Sequence, residues 1–523
     1  MNHQTVRFRR PDCQIRNHRL EKRHQPILAV LLAAILLTLV LMPTVPVQAY
    51  LDIEQNRTFI FDQNGRKITI PTTYNLIKTI SVMDPDGVLA SEVQDFYVTS
   101  GGDIYILDMA GGRIFVYNSR YILTGTIDQF RLANGDLTSL NKPEGIFVDD
   151  DGLIFIADTQ NERILKVDAS GQVLAVTNKP PSFQGIAIES FYPIKVVADG
   201  VGRLSVVARN INMGLLQFDA NGIFTGYSGA PKVKVNLLTK MWKMVSTKEQ
   251  KAQMDQFVPT EYSNIDIDAA GFIYGSISSI AQTDVIRSYQ SNDKSGQVTP
   301  IKKLNSMGAD VLKRNGKSPP LGNVDLEETN SVSRMVDVAL GPAGSYTLLD
   351  NSTGTLYTYS DEGILLHAFG SKGKSKRSFE RPVAIEYLGD NLLVLDSLLA
   401  QVSVFAPTAY YQVVMDAISA EYSGDFDLAY EKWGEITRQN ANFSYAYTGL
   451  GKIELDSGNY RAAMDYFEYA MDTKNYSKAK EKLRKENMST AFPIIFFTLL
   501  LLGAALFSRS SVRKVRRYFR ERS

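Results

Sequence analysis

The chain of 523 residues has one cysteine and four histidines, and their placement removes whole chemistries. Cys13 lies in a basic N-terminal tail, so the rest of the chain has no thiol for a disulfide, an iron-sulfur cluster or a cysteine nucleophile. His3, His18 and His24 share that tail, which leaves His367 as the one imidazole of the body. One imidazole argues against a histidine-rich zinc site and against a Ser-His-Asp triad. Net charge is scarce too, with 57 Lys and Arg against 56 Asp and Glu. The ends hold the basic excess, seven against two acidic residues in 1–25 and seven against one in 509–523, so the middle carries about −10. That sign argues against a nucleic-acid-binding surface there. What remains, 44% hydrophobic and 22% charged residues, is a globular composition, and the length calls for several units or one large repeat array with a smaller partner.

Two apolar runs bracket that middle. Residues 26–42 (PILAVLLAAILLTLVLM) follow Arg19, Lys22 and Arg23 and precede Val47-Gln48-Ala49, the basic, apolar, small-residue order of a secretory signal. Residues 1–49 are therefore a signal peptide, with cleavage after Ala49, or an uncleaved N-terminal anchor; the sequence leaves both open. Cys13 precedes the run, so a lipoprotein is not supported. The second run, from Ala491 to Phe507, has no charge and is followed by Arg509, Arg513, Lys514, Arg516, Arg517, Arg520 and Arg522. We expect a transmembrane helix over 491–508 and a basic cytoplasmic tail over 509–523. The segment from Tyr50 to about Met488 is then extracytoplasmic.

The middle repeats. A shift of 50 residues carries Gly102 to Gly152, Ile104 to Ile154, Ile106 to Ile156, Asp108 to Asp158 and Arg113 to Arg163, and a further shift recovers Pro193, Gly202, Leu204 and Val206. Each unit is a series of short β-rich stretches with Gly-containing turns, which reads as an antiparallel meander. Looser copies run from Ile265 to Ile277, Val336 to Phe369 and Val383 to Phe405, making six. Six such sheets arranged radially bury one another's faces, so the expected class is mainly β, a six-bladed β-propeller over 57–407. NKPEGIFVDDDGLIFIAD together with DTQNERILKVDASGQVL resembles the NHL-repeat propeller family. Where that family places Ala-Asp, the third unit has Ala208-Arg209 and the fourth Ser276-Ile277, so distortion is expected in those two blades. Residues 230–260 and 288–330 read as insertions on a face of the disc, and Thr58 to Ile80 as the strand that closes the ring on the last sheet.

From Tyr410 the period becomes helical. A shift of 34 takes Gly424 to Gly458, Phe426 to Tyr460, Ala429 to Ala463 and Trp433 to Phe467. Tyr447, Leu450, Gly451, Gly458, Ala463, Phe467 and Ala470 stand at the spacing of the tetratricopeptide pattern, which 410–486 resembles, with departures at Asp416 and Glu454. Two copies need a cap, from the helix over Lys478 to Glu486 or from the propeller.

The resemblance brings an enzymatic alternative, a calcium-dependent lactonase-like hydrolase or lyase, because such propellers hold calcium with oxygen donors at the channel. Aligning on the turn glycines places Gln94, Glu144, Ile194, Ser263, Val336 and Val383 in one ring and Asp95, Gly145, Lys195, Asn264, Asp337 and Ala384 in the next. Three aliphatics in the first and Lys195 in the second make a poor calcium shell, so Glu144 and Asp95 are expected to be polar surface or channel-lining groups. Asp108, Asp158, Asp350 and Asp396 recur at one point of their blades, where they should accept hydrogen bonds from a turn and pair with Arg113 and Arg163. His367 is expected on an outer strand and Lys372, Lys374, Lys376 and Arg377 in a solvated loop. We therefore name no catalytic, cofactor-binding or metal residue and no cofactor. The expected protein is a single-pass scaffold of the cell membrane that binds a protein or glycan partner, a membrane complex among the candidates, without catalysis.

Overall fold

The computed structural model describes residues 57–521, apart from 63, 181, 184–185, 210, 212, 231–261, 297, 317–318 and 325–332. The signal peptide or anchor expected at 1–49 lies outside the described residues. The body is a six-bladed β-propeller followed by helices. Blades 1 to 6 have the inner strands Val93–Val98, Gly145–Val148, Tyr192–Ala198, Asn264–Ile267, Met335–Leu340 and Pro382–Leu388. Blades 1, 2 and 3 are four-stranded antiparallel meanders in chain order. The expected distortion thus falls on one blade of the two: blade 3 is regular, and among the described residues blade 4 has three strands, Asn264–Ile267, Ile273–Ser276 and Ile301–Leu304.

The strands follow from their pattern. The second strands Ile104–Asp108 and Ile154–Asp158 are buried at every position, because each faces a neighbouring blade on both sides. The hairpin after an inner strand is set by chemistry such as that of Asp149 to Gly152. There the Asp149 carboxylate accepts from the Leu153 amide at 2.8 Å, and Gly152 takes φ 78°, a region costly for any side chain.

The recurrent aspartates behave as staples. Asp158 accepts from the Asn141 amide at 2.7 Å and from Arg163 Nε at 2.8 Å, so one carboxylate ties the turn after its strand to the linker entering its own blade. Asp108 does the same with the Glu92 amide and Arg113, Asp350 with the Arg334 amide, and Asp396 with the Glu380 and Arg381 amides.

The segment from Thr58 to Ile80 divides its work. Tyr74–Ser81 pairs antiparallel with Gln401–Pro407 and supplies the outer strand of blade 6, so chain segments more than 300 residues apart close the ring. Phe59–Phe61 and Lys67–Thr69 instead form a hairpin added to the outer edge of blade 5, with Phe59 opposite Ala368. His367 lies on Leu365–Phe369, the fourth strand of blade 5, as expected of an outer strand, yet it is fully buried among the rings of Tyr74, Phe369 and Tyr411. Lys372, Lys374 and Lys376 are exposed as expected, while Arg377 turns in over the Phe369 ring at 5.2 Å.

The first expected insertion lies mostly in 231–261, outside the described residues. The second, 288–330, is only partly an insertion, because Ile301–Leu304 within it pairs with Ile273–Ser276 as the third strand of blade 4; beside that strand, Leu321 and Val324 pack with Val285 of helix α1 (Gln282–Ser291) against Phe61 of the hairpin.

Beyond Pro407 come α2 (Ala409–Ser423), α3 (Phe426–Gln439), α4 (Ser444–Asp456), α5 (Tyr460–Tyr469) and α6 (Thr473–Arg520). The 34-residue shift is visible in space. Gly424 and Gly458 both adopt φ above 80° between paired helices, and Trp433 and Phe467 are fully buried at matching places. A β-carbon on Gly449 would lie 2.5 Å from Trp433 Nε1, and one on Gly451 2.6 Å from the Phe467 ring, so glycine is what admits each aromatic. The first turns of α6 close one end of the stack, with Ala479 buried against Leu455, Ala463 and Phe467. The propeller closes the other end, where Tyr410, Tyr411 and Val414 of α2 share one core with Tyr74, Leu392 and Phe405. α6 is 48 residues, about 72 Å long. It contains an 18-residue window of mean hydropathy 2.3, none of it buried, which by length and composition suffices to cross a membrane.

Candidate functional site: the mouth and throat of the channel

The pairing of the inner strand with its neighbour slips between Val93 and Asp95, Pro193 and Lys195, Met335 and Asp337, and Pro382 and Ala384. A bulge leaves one residue out of the ladder and increases the local twist, which re-aims the side chains beside it. Gln94, Ile194, Val336 and Val383 are the residues passed over. They join Glu144 and Ser263 around one cavity of about 480 Å³, so all six members of the first ring aligned in the sequence meet there. Asn351, from the turn after the second strand of blade 5, lines the same cavity and places these turns on the mouth side. The third strand of blade 6 starts from the equivalent turn and ends at Pro407, so the helices leave the opposite side of the disc.

Below the mouth lies the second ring. Asp95 accepts from Lys195 Nζ at 2.6 Å and from the Ile146 amide at 2.8 Å, which joins blades 1, 2 and 3 through one carboxylate. Asp337 accepts from Asn264 Nδ2 at 2.5 Å and from the Ile385 amide at 2.7 Å, joining blades 4, 5 and 6. The small residues are required by this arrangement: a β-carbon on Gly145 would lie 2.5 Å from the Ile194 carbonyl oxygen. Two residues further along their strands, Asp266 and Glu386 lie deep in the protein yet stay half-open to the channel.

Burial controls the charge of this layer. It opposes the ammonium of Lys195, but Asp95 first and then Asp337 outweigh it, and the pKa rises above the ordinary lysine range. Burial pushes Asp337 up to about 8, against the pull of Lys195. It pushes Asp266 up to about 6 and holds Glu386 well above the carboxylate range, with Asp266 adding to the shift of Glu386.

At the rim of the mouth, Arg209 Nη2 meets Glu144 Oε2 at 2.6 Å. Arg209 occupies the place of the staple aspartate in blade 3, and the lost staple has become a mouth residue. In blade 4 the residues after that place, Ser278 and Ser279, also line the cavity, and Ser263 Oγ donates to Ser278 Oγ at 2.5 Å. The guanidinium of Arg334 adds an exposed cation, its backbone amide being held by Asp350.

The donor set is ill suited to a divalent cation. Gly145 and Ala384 offer no side-chain oxygen, Lys195 brings a positive charge, and Asp95 and Asp337 already accept from protein donors. Among the described residues no three His, Cys, Asp or Glu side chains are grouped to hold a metal. His367 stands at the junction with α2, its ring 4.5 Å from that of Tyr411, and burial with help from Arg377 lowers its pKa to about 3. It is not among the residues lining the mouth. Sequence reasoning found both rings but not the roles of Arg209, Arg334, Asp266 and Glu386. The break in the Ala-Asp pattern was the available signal for Arg209, and period-two alternation from Asn264 and Ala384 was the signal for the acids.

No family model and no curated protein matches the chain. Among solved structures it is similar to virginiamycin B lyase from Staphylococcus aureus at 12% identity, with 64% of this chain and 99% of that one covered and a TM-score of 0.38. A gluconolactonase from Xanthomonas campestris aligns at 9% identity over 64% and 95%, TM-score 0.39, and a protein of unknown function from Bacteroides thetaiotaomicron at 10% over 66% and 80%, TM-score 0.37. Likeness at this level carries no argument about activity.

Proposed function

We propose that this chain is a single-pass membrane scaffold whose propeller, of NHL type, and tetratricopeptide-like helices stand outside the cytoplasm and bind a protein or glycan partner without catalysis, the basic tail remaining in the cytoplasm. The observation that carries this reading is the mouth of the channel: a polar cavity in which Lys195 is paired with Asp95 and Arg209 with Glu144, and which Arg334 also lines. Paired charges, serines and amides offer many directional hydrogen bonds and no activated nucleophile, which suits recognition of a polar surface. The helices leave the other side of the disc, so a chain held at α6 can present the mouth to a partner.

The test places a photoreactive residue at Ser279 in the full-length protein in intact cells. One discrete crosslinked partner is expected, lost when Arg334→Glu is added at the mouth. Purified protein that turns over lactones or esters only with calcium, and loses that turnover on Glu144→Ala, would overturn the reading in favour of an enzyme.

A further inference from the structure

α6 continues past the apolar stretch Ala491–Phe507 for a dozen residues of different character, Arg509–Arg520. At about 100° per residue, Val512, Val515, Tyr518 and Phe519 fall within an arc of roughly 120°, while Arg509, Arg513, Arg516, Arg517 and Arg520 occupy roughly 100° of the other side. The apolar arc is open: Val512, Val515 and Phe519 are 53%, 54% and 69% exposed. A straight continuation would carry Phe519 roughly 18 Å beyond Phe507, past a headgroup layer only roughly 5 to 8 Å deep. The apolar arc would then stand in water.

The two arcs select their occupant. An acidic protein surface would satisfy the arginines and leave the valines wet, and a purely apolar groove would do the reverse. An anionic lipid surface offers both layers at once, phosphates above and acyl chains below, and it begins where the apolar stretch ends. Ser508 Oγ donates to the Ala505 carbonyl at 3.0 Å and Ser510 Oγ to the Phe507 carbonyl at 2.8 Å. Serines bonding back onto helix carbonyls mark a place where a helix bends readily.

We propose that Arg509–Arg520 is an amphipathic foot that turns at Ser508–Ser511 into the plane of the membrane and binds anionic phospholipid, its arginines on the phosphates and Val512, Val515 and Phe519 in the acyl boundary. The proposal rests on reading Ala491–Phe507 as a membrane span.

The experiment uses full-length protein with Cys13→Ser, labelled with an environment-sensitive fluorophore at Val515→Cys, Ser510→Cys or Leu500→Cys. Each is reconstituted in phosphatidylcholine vesicles with or without phosphatidylglycerol. The expected result is a blue-shifted Val515 label in the anionic vesicles, a smaller shift in the neutral ones, and a Ser510 label that stays wet in both. Combining Arg513→Gln, Arg516→Gln and Arg520→Gln should remove most of the difference between vesicles. Val515 as wet as Ser510 in anionic vesicles, or equally dry in both compositions, overturns the proposal while a dry Leu500 label keeps the span. A wet Leu500 label overturns the span and the foot together.

Discussion

The throat of the channel and the junction between propeller and helices both bury ionisable groups, but they keep them in different ways. In the throat, Lys195, Asp95, Asn264 and Asp337 are buried but answer one another and the backbone of the next blade, so each polar group keeps a partner. At the junction His367 has neither ring nitrogen hydrogen-bonded and lies among Tyr74, Phe369 and Tyr411. The first solution holds polar groups ready for something else to meet them; the second glues two modules together. Burial moves the pKa of Asp337 up and that of His367 down, in each case toward the neutral form.

Three measurements bear on that contrast, the largest effect first. Lys195→Met leaves the Asp95 carboxylate buried without its cation, and should cost about 3 to 5 kcal/mol by chemical denaturation, with a smaller loss at acid pH as Asp95 takes up a proton. A loss under about 1 kcal/mol would mean that water or the Ile146 amide satisfies Asp95 well enough alone, and would erase the distinction between throat and junction.

The second is the acid limb. His367 titrates near 6.5 when unfolded and about 3 when folded, so the unfolded chain takes the proton first. Its contribution is whole above pH 6.5 and drains away as pH falls toward 3, reaching a loss of about 3 kcal/mol by pH 4. His367→Phe keeps a ring among the aromatics and should flatten that limb by about this amount while changing stability at pH 7.5 little; an unchanged acid limb would remove His367 from the account. The smallest effect is at the rim. Arg209→Ala opens an ion pair whose arginine is 47% exposed, and should shift stability by no more than about 1 kcal/mol while weakening partner capture at the mouth.

The propeller was legible because its evidence is local and repeated. The shift of 50 between Gly102 and Gly152 and between Asp108 and Asp158 reports the same turn and the same staple in successive blades, and both rings of the channel could be aligned from it. The 34-residue shift of the helices worked for the same reason, since Gly424 and Gly458 make the same turn and Trp433 and Phe467 are buried at the same place of successive helix pairs. The hairpin Phe59–Thr69 was not legible as part of blade 5. A short strand pattern says that it will pair and not with which edge, and blade 6 was the nearer guess because ring closure demands a partner there. Arg209 was visible as a broken rule, but a broken rule in one blade has no address until the neighbouring blade brings Glu144 within 2.6 Å.

By itself the sequence determined the number of blades, the turns, the paired helices and the long apolar helix, because each depends on residues close in the chain or repeated at a set period. The tertiary structure alone decided that Lys195 faces Asp95, that Asn264 faces Asp337 and that the N-terminal hairpin joins the edge of blade 5. Those contacts join residues tens to hundreds of positions apart, and only closing the ring turns six separate alignments into one cavity.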